Sequence, residues 1–598
     1  MPSVARILND GSIMRFPLDC NRSTARIAAR MSIHVNSRPS LAGLFTCFHG
    51  KLLSMLTALV IFIITYVFIG LRQIPQVHVD RPAGALVGAV LMVVFGVLTL
   101  DQAFSAVDLH TLLLLLGMMI VTVYLRAAGF FELMADKILS RSRTPLQLLI
   151  FISLSSGLLS ALFVNDTICL LYTPIVLAIT IQLGVHPMPY LLALATSSNI
   201  GSVMTVTGNP QNMLIGIYSR IPYLTFLGAL FPVACAGLAI SVVVIWLLYR
   251  KEMKADAFSK QPALPAYQVN KPLLNRSLLV CAGILAAFSL GYPYSLTAIA
   301  GAVVLLLIGG VRTERILENV DWTLLLFFAG LFIVMRGVEV SGLAAAVIEK
   351  AGDLSTLSPL GRIVGLSAVS MALSNLVSNV PAVMLLKPLM QSLGNDHFLW
   401  LTLAMSSTLA GNFTLIGSVA NLIVAQQARK QVEIGFMEYF RAGALITIAT
   451  IAVGIMVLAL EVKIANGAEA VAAGTGTKQM IATVRHSDPA AVSTKYRIVL
   501  LCDTMESRTQ GLQGFRPLKK NEAALFLFEK IEAVTFWMGS VSYAIDIIFI
   551  NAEEKVVRVY PDCRPDSRNL YPSNQRIKWV LETAAGSGIK AGDMVHIE

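Results

Sequence analysis

The chain has 598 residues, 56% hydrophobic and 14% charged, with a mean hydropathy of +0.72 and a formal net charge of +11. Soluble proteins carry about 25% charged residues, so these totals exclude a single soluble globule and point to a polytopic membrane protein with room for one small further domain. The basic excess lies mostly in short loops between apolar runs and no nucleic-acid motif accompanies it, so nucleic acid is excluded as a partner; the seven cysteines form no CxxC pair and the eight histidines have no metal-ligand spacing.

Residues 1–51 form an N-terminal extension without a structural pattern. It carries Arg6, Arg15, Arg22, Arg26, Arg30 and Arg38, and is too long and polar for a secretory signal. The transmembrane part covers residues 52–461. Its first half, 52–249, has apolar runs at 54–70, 82–100, 109–125, 146–163, 167–183, 191–217 and 223–249. A basic, proline-bearing linker follows at 250–276. The second half, 277–461, has runs at 278–290, 296–308, 322–338, 363–377, 380–393, 398–424 and 439–460. A span needs about 20 apolar residues. The arms 146–163 and 167–183 join through a few polar residues, as do 363–377 and 380–393. Each pair is expected to form a re-entrant hairpin, two ordinary spans with a tight turn being the other reading. The expectation is therefore an α-helical polytopic protein with ten crossings and two hairpins.

The halves repeat one another. Val107-Asp108 matches Val320-Asp321, Gly117 matches Gly330, Asn165 matches Asn379, and Pro174 matches Pro388. Thr205, Gly208 and Asn212 match Thr414, Gly417 and Asn421. Basic residues orient the repeats. With the central linker in the cytoplasm, Arg72, Arg81, Lys137, Arg141, Arg312, Arg315 and Arg429 also fall inside. The repeats are then inverted and both chain ends lie outside. The arginine-rich stretch before Ser54 falls on the wrong side, and initiation at Met55 would remove that conflict.

Four polar breaks interrupt the apolar runs. They hold Asn165, Asp166 and Thr167; Thr207, Gly208, Asn209 and Asn212; Ser378 and Asn379; and Gly417, Ser418 and Asn421. A break at membrane depth exposes N–H and C=O groups, so it survives only where protein or a water-filled cavity covers it. Paired breaks in two related halves mark a transporter's solute site. Half-helix N-termini suit an anion, and backbone carbonyls suit a cation. Sodium would find ligands at Asn165, Gly208, Asn379 and Gly417. The competing reading is that these groups only cap broken helices. Asp166 stands out, because a carboxylate in an apolar run is expensive. It either couples an ion or caps a helix. Its counterpart, Val380, makes the two tips inequivalent. Lys387 either offsets negative charge in the site or snorkels to an interface. Arg336 and Glu339 are spaced to pair with each other, and His110 suits a satisfied polar contact.

After Glu461 the composition changes. Residues 462–483 read as an Ala/Gly-rich flexible linker, and 484–598 as a small β-rich (α+β) soluble domain outside the membrane. Strands are expected at 497–501, 524–528, 533–538, 545–550 and 555–560. Cys502 and Cys563 allow either a disulfide or simple packing. Asp546 and Glu582 are single carboxylates without a catalytic constellation, so no enzyme and no cofactor is expected.

The strings Phe163-Val164-Asn165-Asp166-Thr167, Gly208-Asn209-Pro210-Gln211-Asn212, Ser374-Asn375-Leu376-Val377-Ser378-Asn379-Val380-Pro381 and Gly411-Asn412-Phe413-Thr414-Leu415-Ile416-Gly417-Ser418-Val419-Ala420-Asn421 carry a resemblance. Residues from about Leu52 to Glu461 resemble the ion transporter superfamily, in its ArsB/NhaD-like anion permeases with a citrate-transporter-type domain. That resemblance implies inverted repeats, two hairpins, homodimers in several members, and secondary transport driven by H⁺ or Na⁺. Members move arsenite, carboxylates, sulfate, or Na⁺ against H⁺. The dicarboxylate branch has Ser-Asn-Thr at its tips, from which Asn165-Asp166-Thr167 and Ser378-Asn379-Val380 depart. The C-terminal part resembles the DUF192 family, through Gly511-Leu512, Phe536-Trp537-Met538, Ile545-Asp546-Ile547-Ile548-Phe549-Ile550, Val580-Leu581-Glu582 and Gly592-Asp593. The expectation is a bacterial-type inner-membrane carrier of a small anion, coupled to H⁺ or Na⁺ and seated in the lipid bilayer. A Na⁺/H⁺ antiporter, and an outer-domain enzyme or binding protein on a membrane anchor, are the alternatives.

Overall fold

The computed structural model describes residues 41–70, 81–254, 258, 268–345, 354–474, 480–487, 493–503, 507–508, 511–512, 515–539, 541, 543–565 and 569–597. Residues 1–40, most of the extension, lie outside that set. The first succession of helices is α1 (Leu41–Gly70), α2 (Arg81–Val94), α3 (Leu100–Ala106), α4 (Leu109–Ala127), α5 (Phe130–Arg141), α6 (Pro145–Leu162), α7 (Asn165–Leu183), α8 (Met188–Ser202), α9 (Pro210–Ser219) and α10 (Tyr223–Leu248). The second is α11 (Lys271–Ser289), α12 (Tyr294–Ile308), α13 (Thr313–Leu317), α14 (Trp322–Val340), α15 (Pro359–Val377), α16 (Asn379–Ser392), α17 (His397–Ala410), α18 (Val419–Ala428) and α19 (Phe436–Gly474). Among the described residues, eight helices are long and apolar enough to cross a membrane. Shorter apolar helices are Leu53–Ile69 within α1, α2 and α12.

Matched positions start matched helices. Asp108 accepts from the Thr111 N–H ahead of α4, and Asp321 from the Leu324 N–H ahead of α14, each at 3.0 Å. Thr144-Pro145 opens α6 and Ser358-Pro359 opens α15, each with a hydroxyl cap and a first-turn proline. Cross-packing is reciprocal as well. Helix α2 packs on α14 while α12 packs on α4, and α18 packs on α7 while α9 packs on α16. Gly117 of α4 lies against the Ala298 backbone, and its counterpart Gly330 of α14 against the Ala85 backbone. Every residue of α8 is buried. Burial on every side, its Thr, Ser and Asn included, makes α8 an axis of the bundle.

Helices α6 and α8 approach most closely at a glycine pair. A Cβ on Gly201 would sit 2.0 Å from the Gly157 carbonyl oxygen, which is backbone and cannot swing away. Gly201→Ala is expected to cost the upper part of the usual overpacking range, about 3 kcal/mol. A melting curve of the detergent-solubilised chain checks this. Gly228→Ala, which meets open space within 4 Å, should melt like the parent.

Four boundaries differ from the sequence expectation. The run 82–100 is not one helix: α2 stops at Val94, Gly96 takes φ +69°, and Thr99 caps a separate α3. Helix α1 begins at Leu41, inside the stretch read as an extension. Helix α11 begins at Lys271, within the span read as linker. Helix α19 continues to Gly474, through most of the Ala/Gly-rich stretch read as flexible. Alanine has the highest helix propensity, and it carries the helix past Gly467.

The C-terminal domain opens at Ile481, three residues before the expected boundary. Its strands are β1 (Ile481–Arg485), β2 (Thr494–Cys502), β3 (Glu522–Glu532), β4 (Thr535–Trp537), β5 (Ile545–Ile550), β6 (Val556–Cys563), β7 (Leu570–Pro572), β8 (Ile577–Ala584) and β9 (Met594–Ile597). Seven form one sheet in the order β6-β5-β8-β3-β2-β1-β9, with only β2 and β3 parallel, and β4 pairs with β7 apart from it. All six residues of β5 are buried, because apolar clusters cover both faces of the sheet there. Cys502 and Cys563 are both free. Their strands stand four steps apart, about 19 Å along the sheet, beyond the reach of a disulfide.

Glu582 on β8 is in register with Ala524 and Ile547 and so faces the cluster that also holds Cys502 and Cys563. Burial pushes its carboxyl from 4.5 up to about 8. The folded domain keeps a proton that the unfolded chain releases. Stability is therefore full below the unfolded value and falls as pH rises through that window, by about 1.4 kcal/mol per pH unit. Glu582→Gln is expected to flatten this slope. The readout is hydrogen-exchange protection of β3, β5 and β8 in the full chain, corrected for intrinsic rates.

Candidate functional site

The four breaks assemble around Asn199, a fully buried carboxamide on α8. Asn165 Nδ2 donates to Asn199 Oδ1 at 2.8 Å, and Ser418 Oγ donates to the same oxygen at 3.1 Å. Asn199 Nδ2 donates to Asn412 Oδ1 at 2.8 Å and to Asn421 Oδ1 at 3.0 Å. One side chain thus ties the first arm junction to the second broken span. Thr408, the counterpart of Asn199 at the offset that matches Gly208 with Gly417, makes the reciprocal tie. Its hydroxyl donates to Asn212 Oδ1 at 3.3 Å and accepts from Asn209 Nδ2 at 3.3 Å and Gln211 Nε2 at 3.2 Å.

Inside each broken span a carboxamide satisfies the carbonyls left over where the helix stops. Asn212 Nδ2 donates to Ser202 O, Val203 O and Thr205 O at 3.0 to 3.2 Å. Asn421 Nδ2 donates to Gly411 O at 2.8 Å and Thr414 O at 3.2 Å. Asn209 caps α9 through the Asn212 N–H at 2.8 Å. Thr207 and Thr205 both donate to Ala161 O at the end of α6. The Gly208 carbonyl accepts the Asn165 N–H at 2.9 Å, and a Cβ on Gly208 would meet Ser202 O at 2.3 Å. Gly417 is hemmed in likewise by Gly411 O and Asn375 Oδ1.

In front of this lattice lies a narrow crevice with a volume of about 30 Å³. Asn165 and Asp166 reach it from the start of α7, Pro210 and Gln211 from α9, Ser378 to Pro381 from α16, and Ser418 and Val419 from α18. Phe327, Phe328 and Leu331 of α14 close the remaining side. Four helix N-termini therefore border one space. Each helix start carries roughly half a positive charge, which suits an anionic or oxygen-rich solute. Asn165 Oδ1 and its counterpart Asn379 Oδ1 are both buried without a protein partner among the described residues. Ser378, at the junction of α15 and α16, holds φ +72°, a conformation rare for a side-chain-bearing residue. Strain of this kind concentrates at functional sites.

Asp166 is 8% exposed. Its carboxylate accepts from the Ala420 N–H at the start of α18, with the charges of Arg81 and Asp321 in reach. Of the residues expected to form the site, Asn165, Asp166, Ser378, Asn379 and Ser418 line the crevice. Thr167 lines a neighbouring cavity instead. Thr207, Gly208, Asn209, Asn212, Gly417 and Asn421 lie behind the crevice and hold it in shape, as the capping reading had it. Lys387 is not a charge partner of the crevice, since its Nζ sits 4.0 Å over the Tyr218 ring. His110 meets Ser295 Oγ at 3.0 Å, and Arg336 pairs with Glu339 at 2.8 Å. Asn199, Gln211, Thr408 and Asn412 were not singled out from sequence. Their signal was available, since Asn199 and Thr408 are polar residues at matched positions one turn or so before the breaks.

The citrate transporter family matches residues 58–409. The chain belongs to that family. The silicon efflux transporter LSI3 of Oryza sativa subsp. japonica is 32% identical over 451 residues, 64% of this chain and 93% of the relative. The putative transporter arsB of Dictyostelium discoideum is 25% identical over 516 residues, 67% of this chain and 92% of the relative. Among solved structures, the YdaH transporter of Alcanivorax borkumensis is 14% identical, covering 70% of this chain and 99% of that one at a TM-score of 0.46. The DUF192 family, which is uncharacterised, matches residues 490–597. This citrate transporter family member is thus a multi-pass membrane transporter with a DUF192 domain at its C-terminal end.

Proposed function

We propose that the chain is a secondary transporter of a small hydroxylated oxyacid or its anion, of the arsenite or silicic acid class, coupled to H⁺ or Na⁺. The observation that carries this reading is the crevice where four helix N-termini meet two unpartnered carboxamide oxygens. The N–H groups suit the solute's oxygens, and the carboxamide oxygens accept from its hydroxyls. Among the described lining residues there is no lysine or arginine, and Asp166 adds a negative charge. A di- or tricarboxylate would bring two or three charges beside that carboxylate in a poorly solvated space, where like-charge repulsion is strong. The names of the rice and Dictyostelium relatives point to the same solute class. In this reading the two successions of helices are inverted repeats, the pairs α6–α7 and α15–α16 are re-entrant hairpins, and the site alternates between the two faces. The linker 250–276 lies in the cytoplasm, and the C-terminal domain lies outside an inner membrane.

The test is transport in proteoliposomes, with arsenite, silicic acid, sulfate, succinate and citrate offered under imposed pH and Na⁺ gradients. Arsenite or silicic acid should move at least tenfold faster than citrate, and only with a gradient. Citrate moving at a comparable rate would overturn the solute class. Sodium-driven proton movement with no added solute would favour the antiporter reading, for which Asp166 and the two carboxamide oxygens also provide ligands.

A further inference from the structure

Asp166 borders two cavities, and no other described lining residue is common to both. The second cavity is wider, with a volume of about 160 Å³. Its lining includes the exposed Arg126, Asn319 and Asp321, the half-buried Thr167, and the buried Thr122 and Asp166. We propose that this second cavity is the entry path of the coupling cation, a proton or a sodium ion, to Asp166, separate from the path of the solute. The proposal rests on the reading of the chain as an ion-coupled transporter.

The two cavities differ in what they can stabilise. The crevice is bordered by the starts of α7, α9, α16 and α18 and by no lysine or arginine among the described lining residues. In the second cavity the nearby N-termini are already covered by carboxylates. Asp321 caps α14, and Asp166 accepts from Ala420 at the start of α18. A cation entering past the Arg126 guanidinium meets the carboxylates of Asp321 and Asp166 and the hydroxyls of Thr122 and Thr167. The groups around Asp166 are Arg81 at the start of α2, Arg126 of α4 in the same cavity, Asp321 ahead of α14, the Ala420 N–H and the Cys169 thiol on its own helix. A proton arriving on Asp166 neutralises the carboxylate that fronts the solute, and a sodium ion offsets it. Either way occupancy of one cavity changes the electrostatics of the other, which is what coupling requires. The second repeat has Val380 where the first has Asp166. The path is therefore built once and not twice.

Thr167→Cys and Thr122→Cys place thiols in the second cavity and not in the crevice. The full chain in oriented membrane vesicles is offered an impermeant trimethylammonium methanethiosulfonate reagent from either face, and modification is read by peptide mass. Both positions should react at least tenfold faster from the face that carries Arg126 and Asp321, while native Cys169, which is buried, stays unmodified. Modified Thr167→Cys should lose gradient-driven arsenite transport at least tenfold and keep arsenite–arsenite exchange within about twofold. The inference is overturned if neither position reacts from that face, or if driven transport and exchange fall together, which would make the cavity part of the solute path. Should the parent chain move no solute of the panel, the functional reading fails by itself, and the labelling still accepts or rejects a cation path to Asp166.

Discussion

Asn199→Leu is expected to abolish transport and to destabilise the chain by about 3 kcal/mol or more. Leucine fits the volume but removes every hydrogen bond of the node. Asn165 Nδ2, Asn412 Oδ1, Asn421 Oδ1 and Ser418 Oγ all lose a partner at once in a site closed to bulk water. A buried donor or acceptor left unmade costs about 1–3 kcal/mol, and local repacking recovers only part of the sum. The functional loss should exceed the loss of stability, because Asn165 and Ser418 line the crevice and take their positions from Asn199. Thr408→Val is the graded comparison. It removes the reciprocal tie, but Asn209 Nδ2 keeps Ser202 Oγ at 2.8 Å and the bonds lost are all longer than 3.1 Å. About 1 kcal/mol is expected there, with transport reduced but measurable. Denaturant unfolding in detergent and solute exchange in liposomes measure the two quantities. Asn199→Leu with exchange within twofold of the parent would mean that the node does not shape the site.

Much of this arrangement was legible in the sequence, because lipid imposes one demand on every residue. An apolar run that stops at Asn165-Asp166-Thr167 leaves backbone groups that hydrocarbon cannot satisfy. Polarity alone therefore marked the four places that meet in the structure. The matched Asp108 and Asp321 cap matched helices, and the matched Gly117 and Gly330 mark close backbone approaches, since such positions tolerate few alternatives. The division of labour among the marked residues was not legible. Asn212 and Asn379 are the same residue type in the same kind of break, yet one satisfies three carbonyls and the other keeps a free oxygen at the crevice. That difference depends on which way a side chain points at a break, and periodicity does not apply there. Asn199 was overlooked for a related reason. It sits within the helix and not at the break, where a single carboxamide in an apolar run reads as a tolerated polar residue until its partners are known.

The soluble domain divides differently. Strand β5 was readable to the residue, because five apolar positions with one Asp fit a strand covered on both faces. Strands β1, β7, β8 and β9 have no counterpart among the expected strands. β8 mixes Lys578, Trp579, Glu582 and Thr583 in a run that alternation alone does not separate from a loop. Its centre is secured by neighbours β3 and β5 rather than by its own propensity.

Asp166→Asn is expected to cut gradient-driven transport at least tenfold while solute exchange stays within about threefold of the parent. The substitution separates two roles of the carboxylate. As a cap on α18, Asp166 needs only an oxygen to accept the Ala420 N–H, and asparagine supplies one. Aspartate and asparagine are near equals at helix N-termini, so a purely capping residue would leave both modes of transport and the melting temperature almost unchanged. As a coupling group, Asp166 must change charge, which the amide cannot do. Exchange of solute for solute moves the site back and forth without releasing the coupling ion, so it tolerates a side chain fixed in one state. Net transport requires that the empty, discharged carrier return, and a neutral amide removes the charge that distinguishes the two forms. Loss of both modes together, with an unchanged melting temperature, would instead place the carboxylate in direct solute binding. Asp166→Glu keeps the charge on a longer arm and should restore part of the driven rate, a recovery that neither capping nor solute contact by an amide would produce.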